Sequence, residues 1–219
     1  MERRTFIKLC GSTAVLLGSR PALLWADVSM SKTYQRVGLV DVAGQPFKVG
    51  ALAGSEGYIF HYPYQSTPAL LLDLGHEVPA GVGPSGGIVA FTAICPHQLA
   101  YPSASLSALN YHPGKSSTVG REQSITCCLH GSAFDPAQDG KVIGGPAPRP
   151  LTVIELAYDA DSGALSALGT WGADIYPEFF RAFKRELREQ FGRSGYKDEA
   201  QGQARVVAAD TYSGQRVNC

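Results

Sequence analysis

Cysteine is scarce in this chain of 219 residues, which contains only five. A secreted scaffold held together by disulfides carries cysteine at a much higher density, so the low number indicates another use of the thiols. Cys127 and Cys128 are adjacent, Cys10 lies near the N-terminus and Cys219 is the last residue. Because the remaining cysteines lie close to histidines, the pattern predicts a metal site rather than a covalent framework.

An excess of positive charge is also missing, since Lys and Arg total 19 and Asp and Glu total 19. A nucleic-acid-binding domain normally carries a basic stripe, so nothing points to that class. The sequence contains no internal repeat and no pair of carboxylates or nucleophile–base pair that suggests catalysis. We therefore expect no catalytic site in this chain alone.

The first thirty residues resemble an export signal. Residues 3–8, RRTFIK, match the twin-arginine pattern R-R-x-F-[LI]-K, and a modest apolar stretch follows over residues 9–18. Twin-arginine export moves folded proteins, which suits a cofactor that is inserted before translocation. We expect a periplasmic protein, with residues 1–30 either removed or kept as a membrane tether.

Short apolar runs broken by Gly and Pro predict an all-β fold. The chain contains 25 Gly and 14 Pro, and apolar runs occur at 57–62, 69–74, 87–92, 124–127, 151–156 and 164–168. Runs spaced this closely, with turn residues between them, predict an antiparallel β sandwich or small barrel. We assign this domain to residues 31–172, with a metal-binding part at about 90–150.

A helix is predicted after the strands, within a C-terminal region at 173–219. Pro177 favours its start and Gly192 its end. Four apolar residues lie on one face at helical spacing: Phe180, Phe183, Leu187 and Phe191. The opposite face is basic, which predicts a solvated surface or a docking surface. Residues 193–219 are polar and predict a weakly ordered tail.

Two short motifs carry the candidate metal ligands. Box 1 (residues 95–97, C-P-H) supplies Cys95 and His97, and box 2 (residues 127–130, C-C-L-H) supplies Cys127 and His130. A Rieske-type [2Fe–2S] centre needs this split, because two thiolates hold one iron and two imidazoles hold the other. A zinc finger typically pairs like ligands, as C-x(2–4)-C with H-x(3–5)-H, and those spacings are absent.

Two segments after box 2 strengthen this interpretation. Residues 130–135 read H-G-S-A-F-D and residues 145–150 read G-P-A-P-R-P. They match H-G-S-x-[YF]-D and G-P-A-P-x-P, so the chain resembles the Rieske [2Fe–2S] proteins. The resemblance implies that the proline-containing loop covers the cluster. It also implies that the Ser132 hydroxyl points at a bridging sulfide.

Three positions differ from the pattern of quinol-oxidising Rieske proteins. Phe134 stands where those proteins carry a tyrosine that donates to a ligand thiolate, so we expect a lower reduction potential. Ala100 and Leu129 stand where they carry the cysteines of a disulfide between the boxes, so that bridge cannot form.

Two further residues near the boxes need an interpretation. We interpret Cys128 as a small buried hydrophobe that points away from the cluster. The segment 101–123 between the boxes is longer than in compact family members. We expect its His112 to be a surface-loop residue and not a ligand.

Flanking segments narrow the resemblance to the small subunit of arsenite oxidase. They comprise residues 60–64, 68–75, 81–84, 88–91 and 158–165, and with the export signal the likeness covers most of residues 1–176. The resemblance implies a one-electron carrier between a catalytic oxidoreductase subunit, possibly one that contains molybdenum, and a c-type cytochrome or similar acceptor.

Other functions stay open at this point. A Rieske subunit of a cytochrome bc-type quinol-oxidising complex fits the export signal, but the absent bridge and Phe134 argue against it. A ferredoxin of a ring-hydroxylating oxygenase would also lack the bridge, although such systems are cytoplasmic. A structural zinc-binding module is the remaining alternative.

Overall fold

The computed structural model describes residues 31–219, so the predicted export signal lies outside the described residues. Most regular structure in this part is β-sheet. The strands, in chain order, are β1 (Lys32–Val40), β2 (Tyr58–His61), β3 (Pro68–Asp73), β4 (Ile88–Thr92), β5 (Leu106–Ser107), β6 (Leu109–His112), β7 (Ser124–Cys127), β8 (Ser132–Asp135), β9 (Lys141–Gly144), β10 (Val153–Tyr158), β11 (Leu165–Trp171), β12 (Gln203–Arg205), β13 (Val207–Ala208) and β14 (Gln215–Arg216).

A large sheet of eight strands has the order β12-β1-β11-β10-β4-β3-β2-β13. Its neighbours pair antiparallel, apart from the parallel pair of β1 and β12. β12 and β13 lie at opposite edges of this order, yet only Val206 separates them in the chain. The two edges are therefore neighbours, and the sheet is almost closed around a buried apolar core.

A second sheet, in the order β6-β7-β8-β9, is antiparallel throughout. Its inner face packs on the large sheet in a shared core that contains Leu70, Phe91, Ile125 and Phe134. Each fully buried side chain of this kind contributes about 1.5–3 kcal/mol. The all-β fold predicted from the sequence is confirmed.

The α-helices are α1 (Tyr176–Ala182), α2 (Lys184–Phe191) and α3 (Ala209–Tyr212). Short 3-10 helices occupy Val49–Leu52, Pro136–Gln138 and Gly195–Lys197. Within residues 31–219, none of the helices has the length and apolar character needed to cross a membrane.

The predicted C-terminal helix is present but is broken at Phe183, which leaves helical geometry at φ −106° and ψ 20°. The ring of Phe183 packs edge-on against Tyr101 at 4.9 Å, a contact that helical periodicity cannot reveal. The predicted end at Gly192 is confirmed, with a φ of 85° that glycine adopts freely. The helix pair packs on Ile94 and Leu99, on either side of box 1.

The prediction of a weakly ordered tail over residues 193–219 is wrong. β12 pairs with β1, β13 with β2 and β14 with β5, and Ala204 and Val206 are buried in the core of the large sheet. These short segments are stabilised by backbone hydrogen bonds to strands that are far away in the sequence. A polar composition does not reveal such pairing, because backbone groups make these hydrogen bonds and their partners are distant in the chain.

His61 of β2 fastens this C-terminal region to the large sheet. Its Nδ1 donates to the Gln65 carbonyl, so Nε2 accepts from the Tyr212 hydroxyl at 2.8 Å. Burial lowers the pKa of His61, which keeps the ring in the neutral form that accepts this bond.

Replacing Tyr212 with Phe should therefore leave a partly buried acceptor without its donor. We expect Tyr212→Phe to lower the free energy of unfolding by about 1–3 kcal/mol, measured by urea denaturation. Tyr58→Phe is the matched control, because its hydroxyl makes an exposed contact of 3.2 Å to the Ala51 carbonyl. Equal losses in the two variants would contradict this role of Tyr212.

Candidate metal centre

Box 1 follows β4 and is a tight turn. The Leu99 N–H donates to the Cys95 carbonyl and the Cys95 N–H donates to the Ala100 carbonyl, both at 2.8 Å. Leu99 adopts a φ of 60°, in the left-handed region. The turn buries Cys95 and leaves His97 partly exposed.

Box 2 forms the connection of the β7–β8 hairpin. Cys127 lies opposite Ser132 in the ladder, and the Gly131 N–H closes the turn on the Cys127 carbonyl at 3.0 Å. Gly131 has a φ of 74°, which favours glycine. Cys127 is buried in the shared core, whereas His130 is exposed.

The two boxes bring like donors together. The thiols of Cys95 and Cys127 are neighbours, and the Cys127 thiol lowers the pKa of Cys95. The same contact, together with burial, raises the pKa of Cys127. The rings of His97 and His130 lie edge to face, with centroids 4.8 Å apart. A buried pair of sulfurs thus adjoins a more exposed pair of imidazoles.

The buried surroundings contain a polar atom that lacks a partner. Ser132 Oγ is buried and has no hydrogen bond of normal geometry within residues 31–219, although it lies beside the Cys95 thiol and helps to lower its pKa. A buried hydroxyl is costly unless it donates to an acceptor, and the bridging sulfide of a cluster is such an acceptor. The donor set and this hydroxyl therefore fit a Rieske-type cluster held by Cys95, His97, Cys127 and His130. Their roles as ligands stay a prediction.

No three His, Cys, Asp or Glu side chains in the described part of the chain are grouped as ligands of a single metal ion. A Rieske centre requires no such group, because each of its irons takes only two protein ligands.

The loop at residues 145–148 packs on box 2. Gly145 has a φ of 77°, and a Cβ at this position would lie 2.2 Å from the Gly131 carbonyl oxygen and 2.5 Å from Ser132 Cα. Only glycine permits this close approach of two backbones. The proline-containing loop therefore lies against the box that carries Cys127 and His130.

The interpretation of Cys128 as an unpaired hydrophobe is wrong, because Cys128 forms a disulfide with Cys219. Sequence spacing gave no indication of this bond, since 91 residues separate the two cysteines. Within residues 31–219, Cys95 and Cys127 are free thiols.

His112 is not in a surface loop but in β6, where it is half-buried. Its Nε2 lies 2.8 Å from the Thr126 hydroxyl. The long segment between the boxes contains β5 and β6, and β6 pairs with β7 beside box 2. Because β6 pairs with β7, the part of this segment that contains His112 is a strand and not the expected loop.

Replacing His130 should remove the cluster, whereas replacing His112 should not. Loss of a partner that only supports a ligand costs ~10–100-fold in metal affinity, so loss of a ligand should cost at least as much. We expect the purified His130→Gln variant to lose most of its iron content, sulfide content and visible absorbance. His112→Gln is the control, and loss of iron in both variants would contradict the ligand assignment.

The chain is similar in sequence to known proteins. The model of the Rieske [2Fe-2S] domain family matches residues 69–155. Iodate reductase subunit IdrB of Denitromonas iodatirespirans is 31% identical over 174 residues, which cover 78% of this chain and 82% of that protein. Iodate reductase subunit IdrB of Pseudomonas sp. (strain SCT) is 28% identical over 176 residues, with coverages of 78% and 80%.

Among solved structures, the soluble domain of the Rieske protein II (soxF) from Sulfolobus acidocaldarius is similar at 26% identity and a TM-score of 0.48. The similarity covers 63% of this chain and 78% of that one. The identity and coverage of the first relative are sufficient to assign the family. The chain belongs to the Rieske [2Fe–2S] protein family.

Proposed function

We propose that this chain is the electron-transfer subunit of a periplasmic oxidoreductase related to arsenite oxidase and iodate reductase. It would connect a molybdenum-containing catalytic subunit with a c-type cytochrome or similar acceptor. The sequence resemblance to the small subunit of arsenite oxidase supports this proposal, as do the two relatives named as subunits of iodate reductase. A Rieske cluster, when bound, takes up and releases one electron at a time.

The observation that carries the proposal is the placement of the histidines at the surface. Cys95 and Cys127 are buried, while His130 is exposed and its neighbour Leu129 is 51% exposed. Electron exchange between proteins needs a close approach of the partner to the redox centre. The imidazole of His130 provides that approach without exposing the sulfurs.

An apolar groove adjoins this surface. Its volume is about 320 Å³, and the residues that line it beside His130 include Tyr101, Leu106, Leu129 and Phe183. Exposed apolar side chains next to a redox centre suit a small, transient interface of the kind that electron-transfer partners use.

The disulfide and the export motif support a periplasmic location. Disulfides persist in oxidising compartments and are rare in the cytosol. Cys128 and Cys219 are bonded in the folded chain, and residues 3–8 match the twin-arginine pattern. The export segment either is cleaved or remains as a membrane tether.

The hydroxyl that Phe134 lacks gives a test of the expected low potential. Phe134 is fully buried in β8, in the same core as Cys95 and Cys127. A hydroxyl that donates to a ligand sulfur stabilises the reduced state, so Phe134→Tyr should raise the midpoint potential in a spectroscopic redox titration. Phe47→Tyr, which adds a hydroxyl in the separate core of the large sheet, should leave it unchanged.

The proposed partner can be tested by co-purification of the untagged complex from the periplasm. A molybdenum-containing subunit that exchanges electrons with this chain supports the proposal. Recovery with a cytochrome b would instead support the quinol-oxidising alternative. Rapid mixing of the complex with arsenite or with iodate then gives the direction of electron flow through the chain.

In that complex, a charge placed beside His130 should slow electron exchange between this chain and the partner protein. We expect Leu129→Glu to lower the rate about tenfold or more, because it buries a charge in an apolar contact. Its midpoint potential should change little. Val42→Glu is the control, since Val42 is 69% exposed in the turn after β1. Unchanged exchange in the Leu129 variant would contradict the surface assignment.

A further inference from the structure

The Cys128–Cys219 disulfide joins the last residue of the chain to the residue that follows Cys127. The Cα atoms of the bonded pair are 5.5 Å apart, which is an ordinary separation. Within residues 31–219 the free cysteines are Cys95 and Cys127. The bond therefore fastens box 2 and leaves both candidate thiolate ligands available.

Residues 203–219 (the C-terminal strap) run from the large sheet to the second sheet. β12 and β13 pair with β1 and β2 of the large sheet, and β14 then pairs with β5. The Val217 N–H donates to the Ser107 carbonyl, and its own carbonyl accepts from Nδ2 of the buried Asn110 in β6, both at 2.8 Å. The strap is thus anchored at one end to the large sheet and at the other to the strand beside β7.

The disulfide lies where the strap, box 2 and the segment between the boxes meet. The Thr118 hydroxyl donates to Cys219 Sγ at 3.0 Å, and the Thr126 hydroxyl lies 3.5 Å from the same sulfur. The Cys128 N–H donates to the Ala108 carbonyl at 2.7 Å. The long segment 101–123 and the C-terminal strap therefore support box 2 together.

We propose that this disulfide is a clamp that holds box 2 in place over the cluster, with Cys128 and Cys219 as positioning residues for His130. Ala100 and Leu129 prevent a bridge between the boxes, so no covalent bond of that kind holds them together. Release of the cluster requires box 2 to separate from box 1. The disulfide to the strap restricts box 2, so fewer conformations in which it has separated from box 1 are accessible.

The clamp can be opened by a dithiol. In the exchange the two thiols of the reductant become a disulfide, while Cys128 and Cys219 each take up one electron and one proton. The proposal rests on the presence of the cluster and on no property of the partner. The experiment therefore uses the isolated chain with its cluster, and failure to recover a partner complex does not affect the result.

The test measures the rate at which the holoprotein loses its visible absorption in the presence of an iron chelator. We expect dithiothreitol to increase this rate about tenfold or more in the wild type, because the loop constraint is lost. The variant Cys128→Ser/Cys219→Ser should lose its cluster at the fast rate without dithiothreitol, and dithiothreitol should not increase it further. Any direct action of the reductant on the cluster appears in both proteins.

A second measurement separates positioning from general stability. The visible circular dichroism of the oxidised cluster reports ligand geometry, and we expect it to differ between the wild type and the double variant. The far-ultraviolet spectrum should stay the same. Reoxidation of the treated wild type with oxidised glutathione should restore slow cluster loss.

Two outcomes would overturn the proposal. One is an equal rate of cluster loss with and without dithiothreitol in wild-type protein whose thiol count shows that the bond was cleaved. The other is a free Cys128 in the oxidised, folded holoprotein. If the double variant fails to fold, the rates of cluster loss of the wild type with and without dithiothreitol are sufficient to test the proposal.

Discussion

Four donors from two loops must reach one point, and the rest of the fold depends on this constraint. β4 leads into Cys95 and the β7–β8 hairpin carries Cys127, and packing of the two sheets through Phe91 and Ile125 closes the distance between them. Because each cysteine adjoins a strand of this core, its sulfur is buried. The histidines follow in the turns, so they are nearer to solvent. One arrangement of strands therefore explains both the protected sulfurs and the accessible imidazoles.

The C-terminal region supports the two loops separately. The helix pair α1 and α2 covers Ile94 and Leu99, which flank box 1, whereas the C-terminal strap reaches Cys128 in box 2. A bridge between the boxes would couple them directly, and Ala100 and Leu129 exclude it. Each loop therefore needs its own support from the scaffold. The helix, the strap and the long segment between the boxes, which look unrelated in the sequence, share this role.

The sequence predicted the features that depend on local spacing. The boxes, the H-G-S-A-F-D segment and the apolar strands are all recognisable within a few residues, and Gly192 indicated the end of the helix. The strap was missed because its partner strands, β1 and β2, lie more than a hundred residues away in the chain. The Cys128–Cys219 bond was missed for the same reason. Non-local pairing of short polar segments leaves no periodic pattern to detect.

The Cys128–Cys219 bond has a consequence for assembly under the proposed twin-arginine export. In a reducing cytosol Cys128 and Cys219 would stay as thiols, so box 2 would not yet be fastened to the strap while a cluster is inserted. Oxidation after the proposed export would then join them. The bond between Cys128 and Cys219 would therefore form in a separate step after insertion of the cluster. Under the proposed export, the cluster would enter an open loop, and the disulfide would close that loop only in the periplasm.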